Sequence, residues 1–120
     1  MKMIGVGIDL IDNERILRSV SGEAFLRRIY TEAEREAFDG LPAALAGNFA
    51  VKEAVSKALG TGFRGFGPAD IEVLRDDLGK PYVNLYGKAS DRAAELGVKE
   101  ILVSITDTEE YTQAIAFAQG

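Results

Sequence analysis

Apolar and polar positions alternate from Met3 to Leu10, where Ile4, Val6, Ile8 and Leu10 are separated by Gly5, Gly7 and Asp9. A period of two predicts a strand and turns Asp9 away from the face that carries Ile8 and Leu10. Asp12 or Asn13 then serves as N-cap for a helix from Asp12 to Val20, and a further helical turn is expected from Gly22 to about Ile29. Thr31 followed three residues later by Glu34 is a capping-box pattern that opens a helix to about Phe38, with a break at Gly40-Leu41-Pro42. From about Ala43 to Leu59 the chain is rich in Ala and predicts the longest helix, stopped by Gly60-Thr61-Gly62. GFRGFGP, residues 62–68, is expected to be a loop. Residues 71–75 and 82–86 read as two strands joined by the turn-rich DDLGKP, a hairpin. A helix from Ala89 to Leu96 ends at Gly97. Residues 101–106 and 112–118 form a last pair of strands around DTEEY. The mixed order favours a single α+β domain over residues 1–120, with a small antiparallel or mixed sheet wrapped by a long central helix and shorter helices.

Composition narrows the chemistry more than any motif. The 120 residues include no Cys and no His. Disulfides, thiolate metal sites and Cys nucleophiles are excluded, as are the commonest general base near neutral pH and the commonest transition-metal ligand. Catalysis would have to use carboxylates, Lys, hydroxyls, backbone groups or a hard metal ion. The net charge of −5 argues against a surface built to coat nucleic acid. Asp9 and Asp12 interrupt the short apolar run at the start, and no run approaches the ~20 apolar residues that span a bilayer. The expectation is a cytoplasmic protein with no nucleic-acid or membrane partner.

Two places are candidates for function. On the long helix Phe49, Glu53 and Lys57 fall at i, i+4 and i+8 and share one face, while Lys52 lies off that stripe and is expected to meet solvent or another edge. A solvated ion pair accounts for Glu53 and Lys57 equally well. Asp9, after Gly-Val-Gly-Ile, is either a ligand or a residue that caps the next helix. Gly5 and Gly7 are at most a fragment of a phosphate loop.

Taken together, these segments resemble the acyl-carrier-protein synthase branch of the phosphopantetheinyl transferase family over nearly the whole chain. IGVGIDLIDNERI is similar to its first motif and FAVKEAVSKALGTGF to its long second one. DDLGKPYVNLYG is similar to its Gly-Lys-Pro hairpin, and VSITDTEEY to its late strand and turn. The resemblance implies that Asp9 and Glu53 help hold Mg²⁺, which suits carboxylate and phosphate oxygens and takes one or two protein carboxylates. It implies that coenzyme A is the substrate, that its phosphates contact Lys57, and that a carrier-protein serine attacks the β-phosphorus. Such phosphoryl transfer depends on positioning and charge. Gly60 and Gly62 would let backbone approach the nucleotide. Lys80 and Pro81 would sit near the adenosine or its 3′-phosphate, or form an ordinary β-turn. Phe49 would line the coenzyme site or only pack in the core. Asp107 stands where many family members carry His. It would accept the serine proton through a water or bind the metal through a water, although a carboxylate of ordinary pKa is a weak base, or it only begins a turn with Thr108.

Arg15, Arg18, Arg27 and Arg28 fall in and after the first helix. The family docks acidic acyl carrier proteins on this region, so a basic patch facing the carrier is expected. The family also forms homotrimers with active sites between subunits, and by analogy Asp9 and the Glu53–Lys57 face would come from different chains. Two other readings stay open: a silent module that binds carrier proteins, and a different Mg²⁺- and nucleotide-dependent enzyme on the same scaffold.

Overall fold

A computed structural model describes all of residues 1–120. Strand β1 spans Met3–Asp12, longer than the alternation indicates. Helix α1 (Asn13–Val20) follows directly, with Asp12 as its N-cap accepting from the backbone N–H groups of Glu14 and Arg15 at 3.0 and 3.5 Å. Helix α2 is Glu23–Ile29 and α3 is Glu32–Ala37, the latter opened by the expected capping box of Thr31 and Glu34. The long helix α4 spans Pro42–Ala58, with proline at its first position, where the missing N–H costs nothing. Pro42 thus begins this helix rather than only breaking the chain. Strands β2 (Ile71–Arg75) and β3 (Pro81–Leu85) form the hairpin, and helix α5 (Gly87–Leu96) ends at Gly97 with φ 76°. Strands β4 (Glu100–Asp107) and β5 (Tyr111–Gln119) complete the chain.

The architecture is α+β with small antiparallel sheets, as expected. One sheet has the order β1-β5-β4 and the other is the β2–β3 hairpin. Helix α4 lies between them and touches β1, β5, β2, β4 and α1. Its Ala50, Val51, Ala54, Val55 and Ala58 are buried in the main core together with Ala114, Ala116 and Ala118 of β5.

The covered face of β1 carries Gly5, Gly7, Asp9 and Ile11, opposite Ala118, Ala116, Ala114 and Thr112 of β5. These residues are small because the helix backbone comes very close. A Cβ at Gly5 would collide with the Ala58 carbonyl oxygen, and one at Gly7 with that of Ala54. The two glycines therefore seat a helix; they are not a fragment of a phosphate loop. Asp9 does point away from Ile8 and Leu10. On that other face, however, Val6, Ile8 and Leu10 each keep more than half their surface open, and Leu102 is exposed beside them. The sheet is apolar on both sides, and one chain covers only one.

Candidate active site

The strand alternation that puts Gly5 and Gly7 under α4 carries Asp9 to the same side, two residues farther on. The stripe Phe49, Glu53, Lys57 runs along the edge of α4 that faces it. Lys57 Nζ donates to the Ile8 carbonyl at 2.9 Å and to Asp9 Oδ1 at 3.2 Å. The Asp9 side chain is 16% exposed and that of Lys57 51%, so the pair joins a sheltered carboxylate to an accessible ammonium. This contact lies within one chain. It overturns the expectation that Asp9 and the Glu53–Lys57 face come from different subunits.

Asp9 and Glu53 line a cavity of about 390 Å³ together with Phe49, Phe25, Ile16 and Arg15. Burial pushes the Glu53 carboxyl above its ordinary value, the negative charge of Asp9 pushes it the same way, and Lys57 opposes both. Two carboxylates thus share one ammonium, leaving a local excess of negative charge that attracts a cation. No group of three or more carboxylates assembles anywhere in the fold. A hard ion that needs only two protein oxygens and takes water or phosphate for the rest fits this donor set, and Mg²⁺ is such an ion. Phe49 stacks on Phe25 with ring centroids 6.2 Å apart, so it packs in the core and walls the cavity at once.

Gly60 and Gly62 turn the chain out of α4 with φ of 83° and 61°, values that favour glycine. The Gly62 N–H returns to the Ser56 carbonyl at 3.1 Å, and a side chain at Gly62 would meet nothing within 4 Å. The end of the helix therefore presents bare backbone beside Lys57.

Asp107 does not join this group. It lies opposite Thr112, which lies opposite Ile11, so one whole strand separates it from β1, roughly 10 Å across the sheet. Together with Pro81 it lines a second cavity of about 360 Å³ that includes Gly47 and Arg75. Gly47 and Phe49 are two residues apart on α4, nearly opposite around the helix, so α4 separates the two cavities. Lys80 is exposed in a turn organised by Asp76, whose carboxylate accepts from the Lys80 N–H at 2.9 Å.

The four arginines divide. Arg18 pairs with Glu14 at 3.2 Å and Arg27 with Glu23 at 2.9 Å, each inside its own helix. Arg28 sits over the Phe25 ring at 5.9 Å, and Arg15 lines the Asp9 cavity itself. A third concavity, about 640 Å³, shares no lining residue with the Asp9 cavity. It is an apolar groove between α1, α2 and the start of α4, with Arg27 and Arg35 in its lining.

Sequence reasoning missed a second stripe on α4. Lys52 is completely buried, contrary to the expectation of solvent. Its Nζ donates to Glu34 Oε1 at 2.6 Å, to the Pro68 carbonyl at 3.0 Å and to the Ile71 carbonyl. Asn48 Nδ2 reaches Glu34 Oε2 and the Val73 carbonyl, each at 2.9 Å. The signal was present: Asn48, Lys52 and Ser56 repeat at i, i+4 and i+8 in an apolar helix, and all three are buried.

A family profile described as the 4′-phosphopantetheinyl transferase superfamily matches residues 5–116. A holo-[acyl-carrier-protein] synthase of Lachnoclostridium phytofermentans is 48% identical over 117 residues, covering 98% of this chain and 96% of that protein. The crystal structure of a Neisseria meningitidis holo-[acyl-carrier-protein] synthase superimposes with TM-score 0.90 at 34% identity, over 99% of this chain and 100% of that one. The Bacillus anthracis holo-(acyl-carrier-protein) synthase in complex with CoA (3′,5′-ADP) superimposes with TM-score 0.81 at 34% identity, over 97% and 96%.

Proposed function

This chain belongs to the 4′-phosphopantetheinyl transferase superfamily and is an enzyme of its holo-acyl-carrier-protein synthase kind; from that premise we propose that it moves the 4′-phosphopantetheine arm of coenzyme A onto a serine of apo acyl carrier protein, with Mg²⁺, releasing 3′,5′-ADP. The observation that carries this reading is that Asp9 and Glu53 line one cavity while the Lys57 ammonium is hydrogen-bonded to Asp9 at 3.2 Å.

Asp9 and Glu53 would hold the metal ion. When bound, the ion supplies charge neutralisation and orientation for the pyrophosphate. Lys57, half in solvent, would turn its remaining N–H donors to the phosphates and offset the charge that builds on the departing 3′,5′-ADP. Bare backbone at Gly60 and Gly62 allows close approach. Phe25 and Phe49 form an apolar wall that excludes water from one side of the reacting centre. Asp107 would enter the chemistry only as a contribution from a second copy of the chain. That arrangement is supported by the uncovered apolar face of β1, β5 and β4, which gives a reason for the chain to associate. We propose a homotrimer with this face inside and the Lys80–Pro81 turn and Asp107 of one chain approaching the Asp9 cavity of another.

The carrier, an acidic partner, would dock on α1 and α2, where Arg28 is free of ion pairs and the apolar groove beside Arg27 offers contact area. The holo carrier would serve fatty acid biosynthesis in the cytoplasm.

Intact-mass spectrometry of apo carrier protein incubated with coenzyme A, Mg²⁺ and this enzyme tests the proposal. The expected outcome is a gain of one phosphopantetheine, abolished by chelation. A carrier that binds yet gains no mass would indicate the silent module. Turnover of coenzyme A without carrier modification would indicate a different enzyme on the same scaffold.

A further inference from the structure

Lys57 lies in the last turn of α4, so a phosphate that approaches it meets the negative end of a helix. That pole carries about half an elementary charge, and the last carbonyls have no partner inside the helix. The chain folds back to satisfy two of them. The Gly60 N–H bonds to the Lys57 carbonyl at 2.9 Å and the Gly62 N–H to that of Ser56 at 3.1 Å. A third, at the buried C-cap residue Leu59, is satisfied from another element. Arg92 of α5, 33 residues farther along the chain, donates its Nε–H to the Leu59 carbonyl oxygen at 3.0 Å.

The arginine reaches this end of α4 from a fixed base, because Ala89 and Ala93 bury α5 against the main core. Its Nη2 comes within 3.5 Å of the point where a Cβ at Gly60 would stand, so the guanidinium lies against the bare backbone of the turn. Its Nη1 meets Glu95 Oε2 at 3.3 Å, but the Glu95 side chain is 67% exposed, and a pair in such a setting is well screened. Lys57, the other cation at this end, already donates to the Ile8 carbonyl and to Asp9. Arg92 therefore adds a positive charge at the pole of α4 while tying down the chain that leaves it.

We propose that Arg92 is a positioning residue for phosphate binding: through the Leu59 carbonyl it holds the turn from Leu59 to Gly62 in the shape that presents backbone beside Lys57, and it offsets the negative pole of α4. The assignment rests on the function proposed above. Arg92 acts through Leu59 and Gly60, not on the reacting atoms, so its loss weakens the hold on coenzyme A and leaves carrier docking on α1 and α2 alone. One planar group covers both tasks, with Nε on the carbonyl and Nη2 over Gly60. A lysine ammonium cannot copy that two-point contact.

Steady-state transfer to apo carrier protein is measured for the wild type, Arg92→Met, Arg92→Lys and Glu95→Gln, with hydrogen exchange over residues 59–67 of the free enzyme alongside. Arg92→Met is expected to raise KM for coenzyme A by about 3- to 10-fold, the worth of one charge-assisted hydrogen bond. KM for carrier protein and kcat should stay within about twofold, which a general loss of structure would not allow. Exchange at the Gly60 and Gly62 amides should speed up by about tenfold or more, because their bonds open more readily without the tether. Arg92→Lys should fall between, and Glu95→Gln should stay within about twofold of the wild type. Faster exchange with no rise in KM for coenzyme A, or with an equal rise for both substrates, overturns the assignment. A selective rise without faster exchange also overturns it, since Arg92 would then touch the phosphate itself. If Arg92→Met does not fold, Arg92→Lys and Arg92→Gln carry the same comparison. If the wild type transfers nothing, the proposed function has failed instead. Calorimetric titration with inorganic pyrophosphate and Mg²⁺ then still tests Arg92: weaker binding to Arg92→Met supports the assignment, and equal binding refutes it.

Discussion

Replacing Lys52 by Met removes a charge that the fold buries completely. Glu34, also fully buried, would keep hydrogen bonds from the Thr31 N–H at 3.1 Å and from Asn48 Nδ2 at 2.9 Å, but its charge would lose the ammonium at 2.6 Å. The Pro68 and Ile71 carbonyls would lose their donor as well. Breaking a buried ion pair from one side costs about 3–5 kcal/mol, because the remaining charge has no compensation. That is a large part of the 5–15 kcal/mol that holds a typical domain. A lysine facing solvent would cost within about 0.5 kcal/mol, so the two placements of Lys52 differ measurably. The assay is urea denaturation followed by circular dichroism at fixed protomer concentration, since association contributes to apparent stability. The double variant Lys52→Met/Glu34→Gln should recover at least about half of the loss, because the uncompensated charge has gone while the amide can still bond to Asn48. A single-variant loss below about 1 kcal/mol, or a double variant that loses the sum of the two singles, would refute the reasoning.

Three further outcomes are expected. Glu53 has its pKa raised above the ordinary 4.5, by burial first and the Asp9 charge second. The folded state therefore holds this proton more tightly than the unfolded one; the resulting stability is full below the unfolded pKa and is lost as pH rises through the folded value. Glu53→Gln should flatten that decline, raise Tm near neutral pH and abolish transfer, and Mg²⁺ should raise Tm of the wild type but not of the variant. An unchanged pH profile of stability would contradict this. Ile8→Glu on the uncovered sheet face should leave the far-ultraviolet circular dichroism intact but yield single chains by light scattering, with transfer lost; an unaltered oligomer would remove that face from the interface. Arg28→Glu should raise KM for carrier protein by about 3- to 10-fold at low salt and spare KM for coenzyme A, as expected for a rim charge. Arg15→Glu, in the wall of the Asp9 cavity, should affect both substrates, and identical profiles for the two variants would refute the distinction.

Much of the fold could be read along the chain because strands, caps and turns are local. The alternation before Asp9, the Thr31–Glu34 capping box and the glycines after α4 each depend on residues a few positions apart, and each element formed within two or three residues of its expected limits. The helical spacing of Phe49, Glu53 and Lys57 likewise put the right side chains on one edge of α4. Periodicity says which residues share a face; it does not say what that face will meet. Gly5 and Gly7 appeared to be spacers between the apolar residues of a strand. The approach of α4 made their side the covered one and left Val6, Ile8 and Leu10 bare. Lys52 belongs to a stripe as regular as that of Glu53, yet its partners are 18 and 19 residues away in Glu34 and Ile71, and only packing brings them together. Asp107 was drawn to Asp9 by chemistry and is held from it by a whole strand, while Arg75, which no motif marked, faces an open cavity. The sequence by itself determined the elements and the edge of α4 that carries Glu53 and Lys57, because those follow from contacts within a turn or a strand. Tertiary structure alone decided which charges are buried, which faces stay open and that Asp9 meets Lys57 in one chain, because desolvation and Coulomb energy depend on distances through space that no local pattern records.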